Sequence, residues 1–370
     1  MGTQSAEERE AKLAAVHAQL AASVGELVTG DDWKRALGFA AKFRSRSFSH
    51  VLLIYQAHAT AFEQGRVPSP TPTYVAGYKQ WQALRHQVRR GEAGYPILAP
   101  VIGRYAAVSP NDRPGLWRRL GFRERTAPDE ILRTRLISTK VASVWDVSLT
   151  DGDPILEPPT PQLLAGQAPP GLLDGLAKQI VDRGFTVSTV LDAAAIGGAN
   201  GLTDYRALAV TYRDDVDPAS ACRTLVHELA HVMLHGPDHL DAVAHRGVAE
   251  VEAESVALMI YAAHHMDSST YSVPYVSTWA SQVPGMEPLE VVAATANRVR
   301  TTSLTILDRL DTNQIGTGDP PGLDRGSAAA HPGRDVPAFD LVPRATPAVD
   351  VNHGDELADE VASGLEGASL

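Results

Sequence analysis

The sequence predicts an α+β chain: a small α+β domain in the front half, then a mainly helical domain with a small sheet. Three observations lead there. Apolar residues recur at helical spacing behind capping residues in 5–63, and again between 217 and 310. Two apolar, β-branched runs, YPILAPVIGRY from Tyr95 and TKVASVWDVSLT from Thr139, read as strands. Between the halves, residues 151–171 hold six prolines and read as a linker.

Taken in order, residues 5–28 present Leu13, Val16, Leu20 and Val24 on one helical face. A second helix runs from Asp32 to about Phe43, with Asp31 or Asp32 as its cap. Ser47 and Phe48 open a third. Residues 67–76 are broken by proline and extended, and YKQWQA forms a short helix before a glycine-bounded turn. Residues 108–138, basic and punctuated by Pro and Gly, read as a loop or insertion. In the back half, LLDGLAKQIVDRG is a helix closed by Gly184, FTVSTV and ALAVTYR are strand-like, and helices follow at 217–235, 247–263 and 288–310. The assignment is 1–150 for the front domain, 151–171 for the linker, 172–312 for the back domain and 313–370 for a disordered acidic tail rich in Gly, Pro, Ala and Asp.

The net charge of −11 conceals an asymmetry. Residues 1–140 hold 21 Lys+Arg against 12 Asp+Glu, or +9; residues 141–370 hold 12 against 32, or −20. A basic front on an acidic chain suggests separate partners for the two parts, nucleic acid among them. The one cysteine, Cys222, excludes a disulfide framework and a cysteine zinc knuckle. No stretch approaches the roughly 20 apolar residues of a membrane span. The chain reads as soluble and cytoplasmic, with no membrane partner.

The strongest chemical signal is VDPASACRTLVHELAHVMLHGPD. Asp217 is a cap, Pro218 suits the first helical position, and Gly236 with Pro237 ends the helix. Leu225, Leu229, Val232 and Met233 form its apolar stripe. His227 and His231, four apart, project from one face and can bind the same zinc ion. Glu228 lies about 100° round the helix, placed to take a proton from water at the metal. A third ligand is offered by AEVEAESVALMI, where Glu250 and Glu254 share a face: one can bind zinc while the other hydrogen-bonds a ligand imidazole. Glu252, about 200° from Glu250, reads as solvated. His235, His239 and His245 read as solvated or loop histidines.

HELAHVMLH followed by EVEAESVA resembles the ImmA/IrrE-type metallopeptidases, over roughly residues 170–310. That resemblance implies a zincin-like metallopeptidase domain with Zn2+ held by His227, His231 and Glu250, Glu228 as catalytic base, and Glu254 standing where the family has Asn. The front half, through TYVAGYKQWQALRHQVRRGEAGYPILAPV, resembles the N-terminal domain of the ArdC antirestriction proteins, which join such a domain to a metallopeptidase domain in the same order. His50, His86 and Ala93 depart from that pattern, and 104–138 is longer. The resemblance implies single-stranded DNA binding. Tyr78, Lys79, Trp81, Arg85, Arg89 and Arg90 are the candidate contacts, arginines for phosphates and aromatic rings for bases; Trp81 and Tyr95 can equally be core residues.

Two readings compete. One is a single-stranded DNA-binding protein with a zinc metallopeptidase domain, acting in antirestriction. The other is a regulatory zinc protease that cleaves a repressor, its front half selecting the protein substrate. A DNA-binding protein with purely structural zinc is disfavoured by Glu228, because a structural site needs no base.

Overall fold

The front half opens with three helices, each capped by a hydroxyl. The computed structural model describes residues 5–109, 111, 116–121, 124–155, 166–236, 246–267, 279–281, 283 and 285–323. Helix α1 (Ala6–Gly25) starts from a reciprocal Ser5–Glu8 capping box and buries Val16, Leu20 and Val24. Helix α2 (Gly30–Lys42) is capped by Thr29, earlier than the aspartates suggest. The Thr29 hydroxyl accepts from the Asp32 N–H, and the Asp32 carboxylate accepts from the Thr29 N–H at 2.8 Å. Asp32 thus supports the cap from the third position instead of forming it. Helix α3 (Phe48–Glu63) is capped by Ser47.

Strand β1 (Val75–Gly77), helix α4 (Tyr78–Ala83) and strands β2 (Gln87–Val88), β3 (Tyr95–Ala107), β4 (Arg118–Arg119), β5 (Ile131–Asp146) and β6 (Thr150–Asp151) complete this half. The main sheet has the order β1-β5-β3-β4, antiparallel throughout, and β2 pairs with β6. The 108–138 stretch is therefore more than a loop. Pairing of β3 with β5 continues to Ala107 opposite Ile131, so 131–138 is strand although all eight residues are exposed. Their partners, not a core, hold them extended, which is why no apolar period marked them.

In the back half, α5 (Leu172–Val181) leads to β7 (Thr186–Val190), β8 (Gly201–Asp204) and β9 (Ala209–Arg213). These form a sheet of order β7-β9-β8, with β7 parallel and β8 antiparallel to β9. The short strand β8 gave no sequence signal. Helices α6 (Pro218–Leu234), α7 (Arg246–Ala263) and α8 (Pro288–Leu307) follow. Helices with small sheets make the fold α+β. Among the described residues no helix is long and apolar enough to cross a membrane.

The described residues all fall in one compact unit, Met1–Phe339, so no separation of cores runs at 151–171; residues 156–165 lie outside the described residues. Helix α2 packs on α7: the Trp33 indole is fully buried and donates to the Ser255 hydroxyl at 2.9 Å. Trp33 also meets Phe48 and Trp279. Buried Arg300 of α8 donates to the Arg44 carbonyl at 2.8 Å. The stretch expected to be a disordered tail holds to the body as far as residue 323. Val75 donates to the Gly318 carbonyl at 3.0 Å, and Leu323 packs on the cluster of Ala76, Trp81 and Val88. Residues 324–370 lie outside the described residues.

Candidate metal centre

Helix α6 forms for local reasons. Asp217 caps it, accepting from the Ser220 N–H at 3.0 Å and from the Ser220 hydroxyl at 2.7 Å, and Pro218 fills the first turn. Those bonds hold the Asp217 carboxyl below its usual range. Leu225, Val226, Leu229 and Ala230 are fully buried, which turns the face carrying His227 and His231 outward from the core. Helix α7 packs against α6 and brings Glu250 and Glu254 alongside.

His227, His231 and Glu250 come together, their ligand atoms within 4.8 Å of one another. The two Nε2 atoms lie 3.0 Å apart. Glu250 Oε2 is 3.4 Å from His227 Nε2, and Oε1 is 3.7 Å from His231 Nε2. Ligand atoms about 2.0–2.1 Å from one tetrahedral ion stand about 3.3 Å apart. The three atoms therefore already frame a single small cation. Two imidazoles and a carboxylate suit zinc or a similar divalent ion, and three protein ligands leave a position open. Glu254 sits on the far side of His227, 3.4 Å from Nδ1, and is also held by Arg223.

Charge sharpens the arrangement. Burial works against a charged His227, but its hydrogen bonds to Glu250 and Glu254 win and push its pKa up to about 9. The bonds from His227 and His231 hold the Glu250 carboxyl far below the usual carboxylate range. Burial lifts Glu254, yet His227 and Arg223 hold it low.

His235 and Glu252 are not solvated, contrary to expectation. His235 Nδ1 lies 2.9 Å from His231 Nδ1, and His235 Nε2 lies 3.0 Å from Glu252 Oε2. Both residues are buried, and Arg298 of α8 donates to Glu252 Oε1 at 2.6 Å. Glu252 does point away from Glu250, as helix geometry requires, but α8 covers that side. His231 is thereby backed by a histidine, a carboxylate and an arginine in series, a chain that would fix which ring nitrogen faces an ion held there. His239 and His245 lie outside the described residues.

Glu228 is buried beside the histidines, and its Oε2 accepts from the Thr203 hydroxyl at 2.6 Å. Gly201 lies so close that a Cβ there would stand 2.7 Å from Glu228 Oε1 and 2.5 Å from Thr224 Cγ2. Strand β8, edge strand of its sheet, thus lies directly against the candidate base. Tyr205, just beyond it, donates to the His231 carbonyl at 2.9 Å. Burial first, then the charges of Glu228 and Glu250, push its pKa up to about 12, so it stays a phenol.

The candidate DNA contacts divide. Tyr78, Arg89 and Arg90 line an open cleft of about 470 Å³ with Gln87, Glu92 and Trp145. Trp145, whose indole N–H donates to the Glu92 carbonyl at 3.1 Å, also lines the cleft, although its segment read only as an apolar strand. Lys79 and Arg85 are exposed but do not line the cleft. Trp81 is withdrawn as a base platform: it is fully buried and its N–H donates to the Trp145 carbonyl at 2.9 Å. Tyr95 is likewise packed, 2.9 Å from His58 Nδ1.

A paired-histidine helix crossed by an acidic helix on an α+β scaffold defines a candidate metal centre. No family model matches the chain, and no curated protein matches it. Two crystal structures of the antirestriction ArdC protein from R388 plasmid are similar. The metal-free form has 18% identity and a TM-score of 0.40, covering 71% of this chain and 84% of its own. The Mn(II)-bound form has 17% identity and a TM-score of 0.41, covering 71% and 88%. Likeness at that level does not assign a function.

Proposed function

We propose that this protein is a divalent-metal peptidase, of zinc type by its ligands, whose front half binds single-stranded DNA in an antirestriction role. The observation behind the enzymatic part is the convergence of His227, His231 and Glu250 next to buried Glu228 and edge strand β8. An ion held there supplies Lewis acidity, lowering the pKa of water and polarising a carbonyl. Glu228, one residue from a ligand and fixed by Thr203, accepts the proton of the attacking water and returns it to the leaving amine. Glu254 and the His235–Glu252–Arg298 series keep both imidazoles oriented. An extended peptide pairing with the outer edge of β8 would run past Glu228, since edge strands present unpaired N–H and C=O groups. This favours peptide over other substrates. The DNA part rests on the resemblance of the front half to the ArdC domain and on exposed Tyr78 beside Arg89 and Arg90 in the cleft.

The test uses the full chain. Glu228→Gln should retain zinc, measured by elemental analysis, while cleavage of an unfolded protein such as casein falls by about 10²–10⁴-fold. Cleavage at the wild-type rate would refute the role of Glu228. Fluorescence anisotropy with a labelled single strand tests the other module, and absence of binding at low salt would remove it.

A further inference from the structure

Strand β5 is exposed from Ile131 to Ser138, and this stretch forms, with the paired part of β3 and with β4, an arm of the front sheet. Residues directly opposite across antiparallel strands share a face. Arg119 and Arg133 both stand opposite Tyr105, one on each side, so the three form one rung. Arg135 stands opposite Gly103, the next rung of that face, about 7 Å along the strand. The space over Gly103 is taken by the side chains of Ile137 and Tyr105. The Arg133 guanidinium lies 4.8 Å from the Trp117 ring centre, and that of Arg135 lies 5.9 Å from Tyr105. Stacking on a ring presents a guanidinium edge outward and limits its motion.

Two acids of the arm, Glu124 and Glu130, are engaged away from this face. Arg118, opposite Ala106 and so on the other side, binds Glu130 through Nε at 2.7 Å and Nη2 at 2.8 Å, and also binds Glu124. Those carboxylates are engaged there, and Arg119, Arg133 and Arg135 form no ion pair among the described residues. Three exposed arginines in a row on a chain of net charge −11 make a local site for a polyanion.

We infer that this face of the arm is a contact surface for nucleic-acid phosphates. Planar forks on β4 and β5, the two strands that flank β3, match a repeated phosphate chain better than a scattered set of carboxylates. Exposed apolar residues lie on both faces, Ile131 and Ile137 with the arginines and Ile102, Leu132 and Leu136 opposite, so it is the three arginines that distinguish this side. The surface is distinct from the cleft of Tyr78, Arg89 and Arg90. It adds contacts to the proposed DNA-binding role and is tested separately from it.

The experiment measures binding of a labelled 30-nucleotide single strand by the full chain as a function of salt. Each arginine on a phosphate contributes about 0.7 to the slope of log K against log[salt]. Removing all three (Arg119→Gln, Arg133→Gln, Arg135→Gln) should lower the slope by about 2. Between 200 and 50 mM salt the wild type should then gain about 20-fold more affinity than the variant. Arg119→Gln with Arg135→Gln leaves the Arg133–Trp117 stack intact and should lower the slope by about 1.4. A parallel Arg89→Gln, Arg90→Gln variant reports on the cleft alone. Loss of slope in the arm variants with an unaffected cleft variant supports the arm and sinks the cleft. Loss only in the cleft variant overturns the arm. No binding by the wild type overturns both. Competition by poly-glutamate as strong as by oligonucleotide would identify an acidic-protein surface and also overturn the inference.

Discussion

Raising the pH should strengthen metal binding well above the range where histidine ordinarily stops titrating. In the metal-free protein His227 bridges Glu250 and Glu254, and its pKa is pushed up to about 9. At pH 7 that imidazole is about 99% protonated, and an incoming cation must displace the proton. Apparent affinity should therefore rise about tenfold per pH unit and level off only near pH 9, for a gain of about 50-fold from pH 7 to 9. An unperturbed histidine, near 6.5, would give less than a twofold gain over the same interval. The assay is competition against a chromogenic chelator in a non-coordinating buffer at fixed ionic strength, corrected for the chelator's own protonation. Glu254→Gln removes one of the two groups holding the proton and should move the break to lower pH. A flat affinity from pH 7 to 9 would refute the assignment of His227 as the proton-bearing ligand. The linkage has the matching sign for stability. The raised His227 favours the folded metal-free state fully below about 6.5 and loses that contribution as pH climbs through about 9. The lowered Glu250 contributes above its ordinary value and loses it in acid.

Glu250→Ala should abolish stoichiometric zinc binding, whereas Glu254→Ala should weaken it by about 10–100-fold, as read by the same competition; the reverse order would exchange their roles. His235→Phe keeps the bulk but removes the link from His231 to Glu252, and should weaken metal binding about tenfold while shifting the visible bands of the cobalt-substituted protein. Glu252→Leu should cost about 1–3 kcal/mol in urea unfolding, because buried His235 loses its partner while half-exposed Arg298 can turn to water. Trp33→Ala should cost about 3–5 kcal/mol, and front and back halves should still unfold in one transition; two transitions would contradict the shared core.

The legible parts of this molecule share a cause. Helix α6 could be read because its determinants are local: a cap at Asp217, a proline at the first turn, an apolar stripe and two histidines one turn apart. The i,i+4 spacing alone places His227 and His231 on one face, and a second acidic helix offered Glu250 and Glu254. Helices α1 and α3, strand β3 and the part of β5 from Thr139 were legible for similar reasons. Thr29 was passed over as a cap because Asp31 and Asp32 compete for that role in sequence, and only the backbone shows which residue leaves the helix. Trp81 and Trp145 illustrate the harder case. Trp81 lies two residues from Lys79 and Trp145 stands next to Asp146, yet Trp81 is enclosed while Trp145 lines the cleft, so neighbouring charge does not show which ring is displayed.

By itself the sequence determined the helix of the candidate metal centre, its candidate ligands and base, and the α+β class, since caps, spacing and side-chain chemistry act over one or two turns. Tertiary structure alone decided that Glu252 and His235 are buried behind His231, that edge strand β8 presses on Glu228, and that α2 and α7 share a core across the proline-rich stretch. It also decided that residues 131–138 form an arm with its arginines on one face. Each depends on which element lies across from a given side chain, and that partner is tens to hundreds of residues away.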